Sequence, residues 1–288
     1  MTSSASLASP DRTGTSVRTE LLVPEPAEAL AGLLDLDPPS AEEPIPALWH
    51  WVYLLERRRQ SELGADGHPT SGVPAPPGPG QLRMFAGGRV CMRVPLRFGE
   101  RATRTTRAVR TTHKQGKSGP LTFVTVRSEI EQRGNLALSD EQDIVYRPPG
   151  RSLLPPLRAA GSTGPVEPGL ELHVDPVLLF RFSALTYNAH RIHYDQAHAA
   201  QEGYPGLVIH GPLQALLMGE LMRRAGVPLV GQEFAYRLVA PAFAPQRLTA
   251  APVGVGTAAH VHDAAQRVTA TSTLLPCNSP GSFRQTER

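Results

Sequence analysis

The chain has 288 residues, enough for two domains of about 130, and its 40% hydrophobic against 19% charged residues exclude wholesale disorder. Lys and Arg (29) barely outnumber Asp and Glu (26), leaving a net charge of +3 without a concentrated basic patch, which argues against a dedicated nucleic-acid binder. There is no run of about 18 apolar residues to cross a membrane and no apolar signal core at the N-terminus, so a cytoplasmic protein is expected.

In chain order, residues 1–20 are rich in Ser and Thr and read as a mobile tail. From Pro46, PALWHWVYLL carries aromatics and leucines at helical spacing, and the Trp49–Trp51–Tyr53 cluster reads as core. Gly64 to Gly80 are too rich in Gly and Pro for regular structure. Strands are expected around 83–98, over LTFVTVRSEI (121–130) and at IVYR, closing a first domain at 21–147. Residues 148–168 are dense in proline and glycine and read as a linker.

A second domain, 169–275, holds one clear helix from about His210 to Ala225. Leu213, Leu216, Leu217 and Leu221 share one face of it, and Gly226 and Pro228 stop it. Strand-like segments follow it, and 276–288 read as a frayed tail. No strand–helix–strand alternation occurs, so the pattern is two α+β units. Cys91 and Cys277 lie far apart without a CxxC, which predicts neither a disulfide scaffold nor a thiolate zinc site and suits a reducing compartment.

The histidines locate the chemistry. Four of the ten fall in YNAHRIHYDQAHAAQEGYPGLVIHGPL, just before the clear helix. A neutral histidine near pH 7 can take a proton from water, so His193 is the base candidate, with Asn188 as its polar partner. Asp195 is either an orienter of the imidazole or a helix cap. Gly206, His210 and Gly211 lie where backbone amides at a helix start favour developing negative charge. No metal site is expected, because no HExxH is present and His190, His193, Asp195 and His198 complete no ligand set. The GKS at 116–118 lacks the leading glycine of a phosphate loop, having Thr111 there, and no GxSxG elbow exists.

FSALTYNAHRIHYD followed by EGYPGLVIHGPL resembles the signature of the MaoC-like dehydratase, or type 2 enoyl-CoA hydratase, family. In the usual Asp-x-Asn-Pro-[aliphatic]-His pattern, Asn188 takes the aspartate place, His190 and Arg191 replace Asn-Pro, Ile192 keeps the aliphatic and His193 the histidine. In the first half ALWHWVYLL, QSELGADGHP, RMFAGGRV, KSGPLTFVTVR and SDEQDIVYR are similar to the mesaconyl-C4-CoA hydratase subgroup, and also to mitochondrial type 2 hydroxyacyl-thioester dehydratases.

The resemblance implies an α+β double hotdog, two antiparallel sheets each wrapped around a helix. The second half would carry the reaction and the first would shape an acyl pocket. It further implies a cofactor-independent hydro-lyase on an acyl-CoA, with a homodimer as a possible assembly. His193 would deprotonate water, Asn188 would orient it, and amides near Gly211 would hold enolate charge on the thioester oxygen. A dicarboxylyl substrate or the CoA phosphates would need a cation, for which Arg83, Arg181 and Arg191 are candidates. A fatty acyl thioester dehydratase and a non-catalytic acyl-CoA-binding subunit are the competing readings.

Overall fold

Alternating β-branched and charged residues fill the first half, and they form long strands. A computed structural model describes residues 14–74, 81–116, 119–148, 169–254 and 256–277. The first half contains β1 (Thr15–Leu21), α1 (Glu25–Leu33), β2 (Leu82–Met92), β3 (Arg101–Gly116), β4 (Gly119–Gln132) and β5 (Asn135–Arg147). The second contains β6 (Leu170–Val174), α2 (Pro176–Leu185), α3 (Gln196–Gln201), β7 (Leu207–Val208), α4 (Gly211–Arg224), β8 (Gln232–Leu238), β9 (Phe243–Ala244), β10 (Gln246–Val253), β11 (Ala258–His262) and β12 (Val268–Pro276).

The fold is an α+β double hotdog. Its two antiparallel sheets meet edge to edge where β2 pairs with β8, giving a ten-stranded sheet in the order β1-β3-β4-β5-β2-β8-β12-β11-β10-β6. The β4–β5 hairpin turns through Arg133 and Gly134, whose φ values of 54° and 74° belong to the tight turn that suits the twist of paired strands. Short β7 and β9 pair separately.

Helix α4 is the central helix of the second half, and it packs on β6, β10, β11 and β12. Leu213, Leu216 and Leu217 are completely enclosed, and each contributes about 1.5–3 kcal/mol of burial. Glu220 on its buried side accepts a hydrogen bond from Trp49 Nε1 at 2.8 Å and pairs with Arg223, so its charge is satisfied. That bond ties the aromatic cluster of the first half to the helix of the second.

Four expectations need correction. The first-half aromatic segment forms only a 3₁₀ turn, Trp49–Val52, because Leu48 and Leu54 on either side take positive φ (70° and 55°) that a helix cannot continue through. The long helix of this half is α1 instead. The N-terminal tail ends earlier than residue 20, since Thr15–Leu21 pair along β3. At the other end β12 runs to Pro276. Cys91 and Cys277 form a disulfide despite a sequence separation of 186. Both flank β8: Cys91 lies opposite Glu233 on one side and Pro276 opposite Gln232 on the other. The pairing removes the compartment argument built on free thiols. Most of the linker, and the tail beyond Cys277, lie outside the described residues. Among the described residues no helix is long and apolar enough to cross a membrane.

Candidate active site

A cavity of about 540 Å³ opens between the two halves. His193, Asn188 and Gly211 reach it from the second half; His68, Arg83 and Arg104 reach it from the first.

His193 sits on a 3₁₀ turn, Arg191–His193, between α2 and α3. Its Nδ1 lies 2.7 Å from the Val208 carbonyl oxygen. A carbonyl only accepts, so the proton is on Nδ1 and Nε2 is left as the basic nitrogen. The ring stacks on His210 with centroids 3.6 Å apart. Burial, reinforced by His190, holds the imidazole down at about 3, so it is neutral at physiological pH. His210 precedes α4, and its Nε2 lies 2.9 Å from Ser183 Oγ. Burial and then His193 keep it far below its ordinary value.

Asn188 lines the same cavity as His193. Its Oδ1 accepts the His190 backbone N–H at 3.0 Å, which leaves the amide NH₂ as its free end: a donor with no basic site. Gly211 begins α4 and lines the cavity. A Cβ there would stand 2.1 Å from Leu238 Cδ1 and 2.8 Å from Phe85 Cδ1, so only glycine lets the helix start approach this wall.

Four expected site residues lie elsewhere or do other work. Asp195 caps α3, accepting the His198 backbone N–H at 3.0 Å, and binds Arg191 at 2.6 Å. The group that orients the His193 ring is the Val208 carbonyl. Arg191 also donates to the Ala65 carbonyl at 3.0 Å, clasping a loop of the first half. Arg181 is exposed on α2 and donates to the Gly32 carbonyl. Gly206 packs beside Phe243 and Ala244 and does not line the cavity.

Arg83 is the arginine candidate that reaches the cavity, and Arg104 on β3 joins it. Both are enclosed by protein except where they face the open space, and burial lowers both guanidinium pKa values. Neither makes an ion pair with a described residue. Arg104 lies on the same face of β3 as buried Ala102 and Thr106, so its inward position is a matter of strand parity.

Sequence reasoning also missed Asp66 and His68, which lie in the Gly/Pro-rich segment. His68 Nδ1 is 3.2 Å from Asp66 Oδ2, and the His68 backbone N–H donates to Asp66 Oδ1 at 3.0 Å. The His68 ring lies 4.0 Å from the His190 ring, which is 5.6 Å from His193. Burial pushes His68 down to about 4 against the opposing pull of Asp66. Burial would raise the Asp66 carboxyl, but hydrogen bonds from the His68 side chain and backbone outweigh it and hold the group below the usual carboxylate range. The ligand atoms of Asp66, His68 and His190 lie within 4.8 Å of one another, the one such metal-capable set among the described residues. Both Asp66 oxygens are already engaged by His68. The sequence signals for this group are an Asp-x-His in a glycine-rich turn and its place within QSELGADGHP, one of the stretches that carry the family resemblance.

Residues 48–244 match the model of the family described as hydroxyacyl-thioester dehydratase type 2. The chain belongs to that family. The matched stretch contains the whole cluster from Asp66 to Gly211. Over 243 residues the chain is 50% identical to the mesaconyl-C(4)-CoA hydratase of Chloroflexus aurantiacus, covering 79% of this chain and 84% of that one. A shorter match, 42% over 77 residues and 25% of each chain, is to the mitochondrial hydroxyacyl-thioester dehydratase type 2 of Schizosaccharomyces pombe. In fold the chain is similar to HtdX of Mycobacterium tuberculosis, with a TM-score of 0.69 at 16% identity over 91% of this chain and all of that one. As a hydroxyacyl-thioester dehydratase type 2 member, this protein is a hydro-lyase of the hydratase–dehydratase type.

Proposed function

We propose that the protein adds water to, or removes it from, a short branched dicarboxylyl-CoA thioester of the mesaconyl-C4-CoA kind. The observation that carries this reading is the pair of cavity-facing guanidiniums, Arg83 and Arg104, with no carboxylate of the described protein bound to either. Both guanidiniums are half-buried and feel Glu56, with Asp66 or Asp140, only at a distance, so a substrate carboxylate bound by one or both would supply the direct partner that no described carboxylate does. Thr106, Ser128, Asp140 and Gln142 continue the polar wall around Arg104. A fatty acyl chain against the two guanidiniums would have to desolvate them without pairing them, which disfavours a lipid tunnel.

His193 Nε2 takes a proton from water, whose oxygen bonds to Cβ of the conjugated alkene. The Asn188 amide donates to that water and holds its lone pair toward Cβ. Electron density moves to the thioester oxygen, within reach of the Gly211 N–H at the start of α4, and Cα then receives a proton. Elimination runs the same steps backwards. No cofactor enters this scheme. The same reading keeps the protein in the cytoplasm among its CoA thioesters and is compatible with a homodimer.

The test is loss of enoyl-thioester absorbance with mesaconyl-C4-CoA and crotonyl-CoA. Rapid loss with the first, little with the second and none with His193→Ala supports the proposal. Arg104→Met should raise KM for the dicarboxylyl substrate about 10–100-fold, as expected for losing a hydrogen bond to a charged group, and should leave crotonyl-CoA unaffected. Turnover chiefly of crotonyl-CoA and longer chains would replace it with the fatty acyl reading. Binding of CoA esters without any turnover would replace it with the binding-subunit reading.

A further inference from the structure

We propose that His68 of the first half, held by Asp66, is the second catalytic residue of the site, the group that exchanges a proton with Cα. This rests on the hydratase reading above.

The need for such a group follows from Asn188. Hydration moves two protons, one off water and one onto Cα, and an amide side chain can neither take nor supply one. His193 accounts for the first. Of the other cavity imidazoles, His50 and His190 turn Nε2 toward Asp140 (3.4 Å) and Glu202 (3.8 Å), whereas His68 turns Nδ1 to Asp66 at 3.2 Å and its Nε2 has no partner among the described residues. The carboxylate fixes the tautomer and stabilises the imidazolium formed when Nε2 takes a proton.

The loop bearing His68 is fastened to the second half at the segment that bears His193. Asp66 O accepts the Arg191 backbone N–H at 2.9 Å, and Ala65 O accepts from the Arg191 guanidinium at 3.0 Å. Gly64 N–H closes the loop on the His68 carbonyl at 2.7 Å. Gly67 has φ +87°, and a Cβ on it would lie 1.8 Å from the Ala189 carbonyl oxygen. Backbone therefore packs on backbone between a first-half loop and the NAHRIH segment. Such close seating serves a group that must be aimed.

The step balances with one proton shared between the two histidines. The free enzyme holds both rings neutral; in hydration His68 takes up its proton when the anionic substrate binds beside it, while His193 stays neutral. Water gives its proton to His193 and its oxygen to Cβ. The C=C electrons pass to the enolate and return to bond Cα to the proton from His68 Nε2. The cycle resets when the proton on His193 returns to His68, and the His190 ring lies between them, 5.6 Å and 4.0 Å from the two. Around His68 the charged and titratable groups are Asp66, His190 and Arg83, with Glu202 behind His190 at 3.8 Å. The anionic substrate supplies the charge that favours the shared proton.

The experiment uses the full chain with mesaconyl-C4-CoA and the hydrated thioester. His68→Gln should lower kcat about 100-fold, within the range for losing one acid–base group, with KM and unfolding midpoint near wild type. It should also abolish deuterium exchange from D₂O into Cα of the hydroxyacyl thioester. Asp66→Asn should shift the alkaline fall in kcat to lower pH, because an imidazolium without its carboxylate is a stronger acid. If His68→Gln unfolds, His68→Asn is read in its place. Wild-type kcat and Cα exchange in either folded His68 variant, with His193→Ala inactive, would overturn this inference and leave the hydratase reading standing. Activity lost to chelator and restored by Zn²⁺ alone would overturn it in favour of a metal at Asp66, His68 and His190. No turnover by the wild-type chain would remove both.

Discussion

Three enclosed imidazoles make the fold acid-sensitive in a calculable way. His68 is depressed from 6.5 to about 4, His193 from 6.5 to about 3, and His210 well below 6.5, in each case by burial first. In the unfolded chain all three return to ordinary values, so below pH 6.5 the unfolded state binds protons that the native state refuses. Stability is therefore full above pH 6.5 and is lost as pH falls through 6.5 towards 4. Each fully excluded proton costs about 1.4 kcal/mol per pH unit. Between pH 7.5 and 5.5 the three together should remove about 4 kcal/mol. Asp66 and Glu202, whose carboxyls are also depressed, act with the same sign only near and below pH 4. Urea unfolding at pH 7.5, 6.5 and 5.5 measures the loss. His193→Gln and His68→Gln should each flatten the slope by about one third, since each removes one of three such groups. A stability that does not change from pH 7.5 to 5.5, or Gln variants that keep the wild-type slope, would refute the reasoning.

Two further outcomes follow from the geometry. Gly67→Ala should cost at least about 1–2 kcal/mol for its left-handed backbone, and more for the clash with Ala189. Turnover should fall as the His68 loop lifts; an unchanged unfolding midpoint and kcat would contradict the close packing. Asp195→Asn keeps a good helix cap and should leave kcat within about twofold, because the Val208 carbonyl orients the imidazole. A drop of about 10⁴, as when a catalytic imidazole takes the wrong tautomer, would return Asp195 to the orienting role.

Local chemistry was legible where it depended on neighbours in the chain. The leucine spacing of α4, its stop at Gly226 and the histidine-rich segment before it are all short-range patterns, and the structure has them at the expected positions. Asn188 and His193 could be paired in sequence because only five positions separate them. Asp195 was ambiguous for the same reason: two residues from His193, it could cap or orient, and only its bonds to Arg191 and His198 distinguish the two.

What the sequence alone determined was the fold class, the family resemblance, the second-half helix and the segment that brings His193 and Asn188 to the cavity. Tertiary structure decided everything that joins distant segments. Strand parity turned Arg104 inward, and the shared neighbour β8 brought Cys91 to Cys277 across 186 positions. Docking of the glycine-rich loop on Ala189 and Arg191 carried His68 into one cavity with His190, His193 and His210, more than a hundred residues later in the chain. Periodicity records which face of an element is buried; which two elements share that burial is settled only when the whole chain closes around one core.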